Sequence, residues 1–244
     1  MIEPTQILYL IIFLFLASVT NSLAGFGFAL VAAATLLELF GLLVSTPLIS
    51  ACALVVKIIL VYTYWEHIRW PQLRPIVVAS LCAIPLGVIA LDYVPDLFMR
   101  TMLGVVIVGY VVYKVMGAAV PDLKSVWWAY AAGFAGGLLG GAYNTAGPPV
   151  VIYTDTQDWK PDMFRANMQT YLLCNNILAL SLHFWRGNLT AEVGQLFLWA
   201  IPALVAGTFF GNWLCRFVSP EFFRKLVLFI LFVIGIRLAM TYWL

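Results

Sequence analysis

Lys57 is the only charged residue between Leu39 and Trp65, in an otherwise apolar stretch. A charge near the middle of such a stretch is costly unless it is paired, hydrated or used. The ammonium therefore reads as a binding group for an anion, with snorkelling of its stem toward an interface as the alternative. Two further places set polar side chains among apolar ones: Asn21-Ser22-Leu23-Ala24-Gly25-Phe26-Gly27 and Asn144-Thr145-Ala146-Gly147-Pro148-Pro149. Each interrupts a long apolar run, and backbone groups released by a broken helix in hydrocarbon must be satisfied by protein, water or ligand. The breaks thus mark a pathway. Pro148 and Pro149 suit the first turn of a new helix, where no backbone donor is wanted, and Asn144 and Thr145 stand just before it. Gly25 and Gly27 permit close backbone approach, with Asn21 and Ser22 in the matching polar positions. A helix start offers free N–H groups and the positive end of a dipole, which together favour an anion.

The elements that must hold these residues are read from the surrounding composition. Of 244 residues, 64% are hydrophobic and 10% charged, with a formal net charge of +2. A soluble domain carries roughly 25% charged residues, so the bilayer is the solvent to reason with. Nothing resembles the basic surface of a nucleic-acid binder, and nucleic acid is excluded as the main partner. Uncharged stretches with flanking Tyr and Trp lie near 5–39, 45–64, 73–92, 97–118, 125–155, 163–184, 193–215 and 221–243. These predict eight hydrophobic elements of an all-α polytopic membrane protein surrounded by lipid. Ile7 to Val19 has the length of a signal-peptide core, but no Lys or Arg precedes it, so it reads as mature structure. Cys52, Cys82, Cys174 and Cys215 stand singly in apolar runs, as small buried residues do, and His67 and His183 lie near run ends. No spacing suits a metal or redox site, and no cofactor is expected.

The fifth element repeats the first. At offsets near 120, Trp65 answers Trp185, Ile84-Pro85 answers Ile201-Pro202, and Val94-Pro95-Asp96-Leu97-Phe98 answers Ser219-Pro220-Glu221-Phe222-Phe223. Two structural repeats of four elements follow, over residues 1–120 and 121–244, each opening on a broken element. Duplication with interrupted helices at matching places points to a secondary transporter with its site at the breaks. The same register sets Lys57 against Asn175 and Asn176, and Ser50 against Gln169. Seven residues separate the members of each pair, Ser50 with Lys57 and Gln169 with Asn176, which puts each pair on one helix face. Two polar faces then complete a chamber around the breaks. Gly133, Gly137 and Gly141, like Gly136 and Gly140, are spaced four apart and read as helix-packing positions.

Charge sidedness bears on topology. If every element crossed, Lys and Arg outside the spans would divide six against six. If the fifth element turns back as a re-entrant hairpin, Arg69, Arg74, Lys114, Lys124, Lys160, Arg165, Arg216, Arg224 and Lys225 share one side, against Arg100, Arg186 and Arg237. That is the bias of a cytoplasmic face. Extending the hairpin to the first element by symmetry makes the repeats inverted, with six crossings and both termini outside. An arm such as Ser125 to Ala142 would span about 27 Å at 1.5 Å per residue, nearly a bilayer core, which keeps a crossing arm open.

The run GGLLGGAYNTAGPPVVIY followed by FRANMQTYLLCNN closely resembles the second-repeat signature of the TauE/SafE (TSUP) membrane permeases, and AGFGFAL resembles their first-repeat signature. The resemblance covers essentially the whole chain in length, duplication and span count. It implies a bacterial inner-membrane exporter of small anions, notably sulfite or an organosulfonate such as sulfoacetate. It also carries Asn144, Thr145, Gly147, Pro148, Arg165 and Asn167 over as motif positions. The Asn144-Thr145-Ala146-Gly147 run departs from the Gly-Thr-Gly-Gly-like run of many members, which leaves the exact anion open. Arg165 reads equally as a positive-inside anchor and as an anion-attracting gate.

Other function classes find less support. No HExxH, G-x-S-x-G or mid-span aspartate pair is present for an intramembrane enzyme. An anion channel shares the polar pathway of a carrier, whereas a scaffold has no need for Lys57 or two polar breaks. The expected partners are a small anion and membrane lipid, with a second copy of the chain, as a homodimer, a further candidate.

Overall fold

The computed structural model describes residues 3–116, 123, 125–157, 159–215 and 217, and the pairs 228–229, 232–233, 235–236 and 239–240. The eighth expected element, near 221–243, falls largely outside them. Among the described residues the chain is helical throughout, without strands. In order come α1 (Pro4–Ala24), α2 (Phe28–Tyr64), a 3-10 turn (Trp65–His67), α3 (Trp70–Tyr93), α4 (Asp96–Met116), α5 (Val126–Tyr143), α6 (Gly147–Thr154), α7 (Pro161–Trp185) and α8 (Ala191–Leu214). The helix starts carry recognisable signals. Proline occupies the first turn of α1, α3, α6 and α7, where its missing N–H costs nothing. Thr190 Oγ1 accepts from the Val193 N–H at 3.3 Å to cap α8.

The distribution of side chains is that of a protein dissolved in lipid. Leu8, Ile12 and Leu16, four apart on α1, are exposed, as are Leu198, Trp199, Phe209 and Phe210 on α8. Ser18, Asn21, Ser50, Lys57, Ser80, Asn167, Gln169, Asn175 and Asn176 are buried. Polar groups inside and apolar groups outside satisfy the backbone and side chains where no water is present. Among the described residues, four segments are long and apolar enough to cross a membrane: Pro4–Ala24, Thr35–His67, Trp70–Ala90 and Ala191–Leu214. The long helix α7 collects much of the polar load, with Asn167, Gln169, Thr170, Asn175, Asn176 and His183 buried.

Two helix pairs pack backbone to backbone. A Cβ on Gly133, Gly137 or Gly141 would strike the carbonyl of Ile76, Ser80 or Ile84, so α5 lies directly against α3 and runs in the same direction. Gly207 and Gly211 hold α8 against Phe15 and Val19 of α1 in the same manner. These are small-residue contacts of the kind that pack helices in lipid, where apolar side chains gain little from one another.

Between these pairs the chain turns back on itself. At the end of α5, Asn144 adopts a left-handed conformation (φ 58°), and its N–H bonds to Gly140 O at 2.9 Å. After the break, α6 returns to the end from which α5 started: Gln157 Nε2 donates to Leu123 O at 3.0 Å, and Tyr113 Oη donates to Asp155 Oδ2 at 3.3 Å. Segment 125–155 is a hairpin. In the other half, α1 ends at Gly25 (φ 80°), Gly27 (φ 100°) follows, and α2 begins. Gly41 (φ 74°, ψ 171°) then divides α2 into helical arms over 28–40 and 42–64, with Ser45 Oγ donating to Leu36 O across the kink at 2.7 Å. The expected boundaries at 39 and 45 bracket this kink. Basic residues gather where Asn167 Oδ1 accepts from the Arg69 N–H at 2.8 Å and Arg165 lies 5.9 Å from the centre of the Tyr64 ring. Arg186 sits at the opposite end, donating to Val88 O at 2.8 Å.

Candidate functional site

The two breaks meet inside the molecule. They line one small cavity, with Asn21, Phe26 and Gly27 on one side, Asn144, Thr145, Gly147 and Pro148 on another, and Lys57 reaching in from the second arm of α2. Its polar lining is shut away from the surface: Asn21 is 0% exposed, Lys57 2%, Thr145 2% and Asn144 6%. Asn21 Oδ1, Asn144 Nδ2 and Thr145 Oγ1 find no hydrogen-bond partner among the described residues. Each such buried orphan costs about 1–3 kcal/mol, so three around one chamber mark a place shaped for something polar to enter. Lys57 Nζ donates to Asn176 Oδ1 at 3.2 Å, and Asn176 Nδ2 donates in turn to Ser50 O. The ammonium is aimed by a neutral amide, which leaves its charge for a ligand.

Helix α7 holds both breaks in place. Gln169 Nε2 donates to Gly25 O at 2.8 Å and its Oε1 accepts from Asn21 Nδ2 at 3.4 Å. Two residues on, Tyr171 Oη donates to Ala146 O at 3.4 Å and shares a hydrogen bond of 3.2 Å with Ser80 Oγ. Ser80 also donates to Asn175 Oδ1, tying this network to α3. The carbonyls freed at the two turns are therefore satisfied by one element, as buried backbone acceptors require.

A chamber with one lysine, two unpaired donors and two helix starts is suited to a small anion, and comparison with known proteins agrees. The family model for the sulfite exporter TauE/SafE matches residues 10–238. The chain belongs to the TauE/SafE family. A relative, the probable sulfite/organosulfonate exporter TauE of Cupriavidus necator, is 26% identical over 196 residues, covering 78% of this chain and 73% of that one. No solved structure matches. Family and apolar helices together make this TauE/SafE chain a multi-pass protein of the bacterial inner membrane, in a family of anion exporters.

Of the residues singled out from the sequence of this TauE/SafE protein, Asn21, Gly27, Lys57, Asn144, Thr145, Gly147 and Pro148 come together around the cavity. The others lie behind or beside it. Ser22 Oγ donates to Ser18 O at 3.0 Å and Thr208 O at 3.2 Å, which spends it on the α1–α8 contact. Gly25 turns toward Phe164 and Arg165. Arg165 pairs with Asp162 at 3.9 Å over the Tyr64 ring, while Asn167 closes the start of α3 through Arg69. Asn176 supports Lys57, whereas Asn175 faces Ser80. His183, expected near an interface, is buried, its Nδ1 within 3.1 Å of Asn188 Nδ2. Cys82 is exposed on α3 rather than buried. Phe26 and Phe28, which flank Gly27 in the first break motif, form apolar walls, while Leu172 and the tie from Tyr171 to Ala146 have no local signature in the sequence.

Proposed function

We propose that this protein exports a small sulfur oxyanion, sulfite or an organosulfonate, by alternating access around the chamber between its two breaks. The observation that carries this reading is the set of unpaired donors Asn144 Nδ2 and Thr145 Oγ1 beside the buried Lys57. Lys57 supplies charge, and the amide and hydroxyl fix the orientation of the anion's oxygens. The start of α2 at Phe28, Ala29 and Leu30 also lines the cavity and adds the positive end of a helix dipole. The burial of these groups suits an occluded carrier better than an open pore. The printed name of the Cupriavidus necator relative supports the substrate class.

Two inverted repeats, 1–120 and 121–244, form the moving parts of the proposal. Gly87 meets Leu138 and Gly141, and Gly207 meets Phe15 and Ser18, so each half carries a glycine contact of the same kind. Lys57 and Asn176, partners in the register of the repeat, touch each other, as residues near a two-fold axis do. Rocking of one hairpin-bearing unit against the other would expose the chamber to each side in turn. The end bearing Arg69, Arg74, Lys160 and Arg165 faces the cytoplasm, and both termini lie outside. An inside-negative potential then drives each negative charge outward by about 2.3 kcal/mol per 100 mV.

The test is a flux screen in proteoliposomes holding the purified chain, with sulfite, thiosulfate, sulfoacetate, sulfolactate and acetate as probes. Saturable flux with counterflow for the sulfur anions is expected. Flux that rises linearly without counterflow would indicate a channel, and flux of acetate alone would contradict the substrate class.

A further inference from the structure

One amide in the chamber has its orientation dictated by its neighbours. Gly25 O can only accept, so Gln169, 2.8 Å away, must turn Nε2 toward it. That leaves Gln169 Oε1 facing Asn21, which must answer with Nδ2 at 3.4 Å. Asn21 Oδ1 is then a forced acceptor, fully buried and without a partner among the described residues, on a residue that lines the chamber. The other polar side chains there supply donors: Lys57 Nζ, Asn144 Nδ2 and the Thr145 hydroxyl. A fully ionised oxyanion would satisfy the donors and set a lone pair against Asn21 Oδ1.

The charge balance points the same way. Lys57 is the one titratable side chain among the described residues that line the chamber, so one positive charge faces the ligand. The partner of Asn21 across the helix contact is neutral, Gln169 on α7, and the adjacent Ser22 meets the neutral Thr208 on α8; Arg165 lies beyond Gly25, toward the basic end. A dianion in so buried a site would retain a second charge that only the partial charges of the two helix starts offset.

We propose that the site takes its oxyanion as a singly charged species carrying its own hydrogen-bond donor, an acid proton or a hydroxyl, which is given to Asn21 Oδ1 while the other oxygens face Lys57, Asn144 and Thr145. Hydrogen sulfite is the smallest species of this kind, and a hydroxyalkyl sulfonate is the other source of the same chemistry. The inference rests on the anion-site reading and narrows it: sulfite dianion and fully ionised sulfoacetate are poor cargo. Sulfite exported in this form leaves with a proton and moves one negative charge instead of two.

Calorimetric binding to the purified full chain tests this with four probes: ethanesulfonate (one charge, no donor), isethionate (the same with a hydroxyl), sulfate (two charges, no donor), and sulfite across a pH series. Apparent sulfite affinity should fall about tenfold per pH unit above the second ionisation of sulfite, tracking the protonated fraction. Isethionate should bind about tenfold more tightly than ethanesulfonate, and sulfate should not bind detectably. Ethanesulfonate keeps its charge throughout, so its own pH curve reports any titration of Lys57 and is divided out. A response to protonated sulfite alone assigns the donor to the acid proton; a response to isethionate alone assigns it to a hydroxyl. Asn21→Leu should cost hydrogen sulfite about tenfold more than it costs ethanesulfonate, and the wild-type comparison stands by itself if that variant does not fold. Sulfite affinity that is flat or rises with pH, with isethionate no better than ethanesulfonate, would overturn the proposal and leave the anion site standing. Failure of all four to bind would overturn both.

Discussion

The first break, at Gly25 and Gly27, and the second, at Asn144 to Ala146, turn the chain by different means. The first relies on two glycines with positive φ, and the helix that follows starts without a proline or a side-chain cap. The second uses Asn144 in the left-handed region, followed by Pro148 and Pro149 in the opening turn of α6. Backbone freedom does in one half what a tolerant amide and stiff prolines do in the other. The chemistry left over differs accordingly: the second break presents the donors Asn144 Nδ2 and Thr145 Oγ1, and the first presents the acceptor Asn21 Oδ1. The two breaks thus bring an asymmetric set of polar groups to the cavity, and α7 is tied to both of them through Gln169 and Tyr171.

The largest expected effect is on packing. Gly137→Leu drives a side chain into the Ser80 carbonyl of α3 and should lower stability by about 3 kcal/mol in thermal unfolding in detergent, whereas Gly194→Ala, facing open space, should stay within about 0.5 kcal/mol. Next, Asn144→Gly keeps the left-handed turn and deletes the amide, so the fold should persist while anion affinity drops about tenfold; Thr145→Val should behave alike. Equal affinity in both, in folded protein, would mean that the second break is scaffold only. A smaller effect separates the break glycines. Gly27→Ala forces a Cβ into φ 100° and should cost about 1–2 kcal/mol, while Gly147→Ala meets the Phe26 ring at ordinary contact distance and should cost less than about 0.5 kcal/mol in the same assay.

Much of this was legible in the sequence because polar, glycine and proline residues in a membrane span are conspicuous. Both breaks and the polar character of the Lys57 position stand out in the residue types, whereas the hairpin course of 125–155 is one of two courses that the Lys and Arg count and the arm length leave open. What composition does not encode is direction around a helix. Asn21 and Ser22 are adjacent, yet successive residues point about 100° apart, so one lines the chamber and the other packs on α8. Asn175 and Asn176 divide in the same way between Ser80 and Lys57. Arg165 and Asn167 belong to the sequence motif, but their partners Tyr64 and Arg69 come from the far half of the chain and place them at the basic end. The role of Gln169 depends on a carbonyl freed by a turn more than a hundred residues away.

The central claim, that Lys57 faces the pathway and neutralises the anion, is tested most directly by Lys57→Met in the proteoliposome sulfite assay. This change keeps much of the stem and removes a buried charge whose hydrogen bond goes to an amide, so thermal stability should hold or rise. Sulfite flux should fall at least about tenfold, the scale of a lost charge-assisted hydrogen bond. Wild-type rate and affinity in folded Lys57→Met would contradict the account.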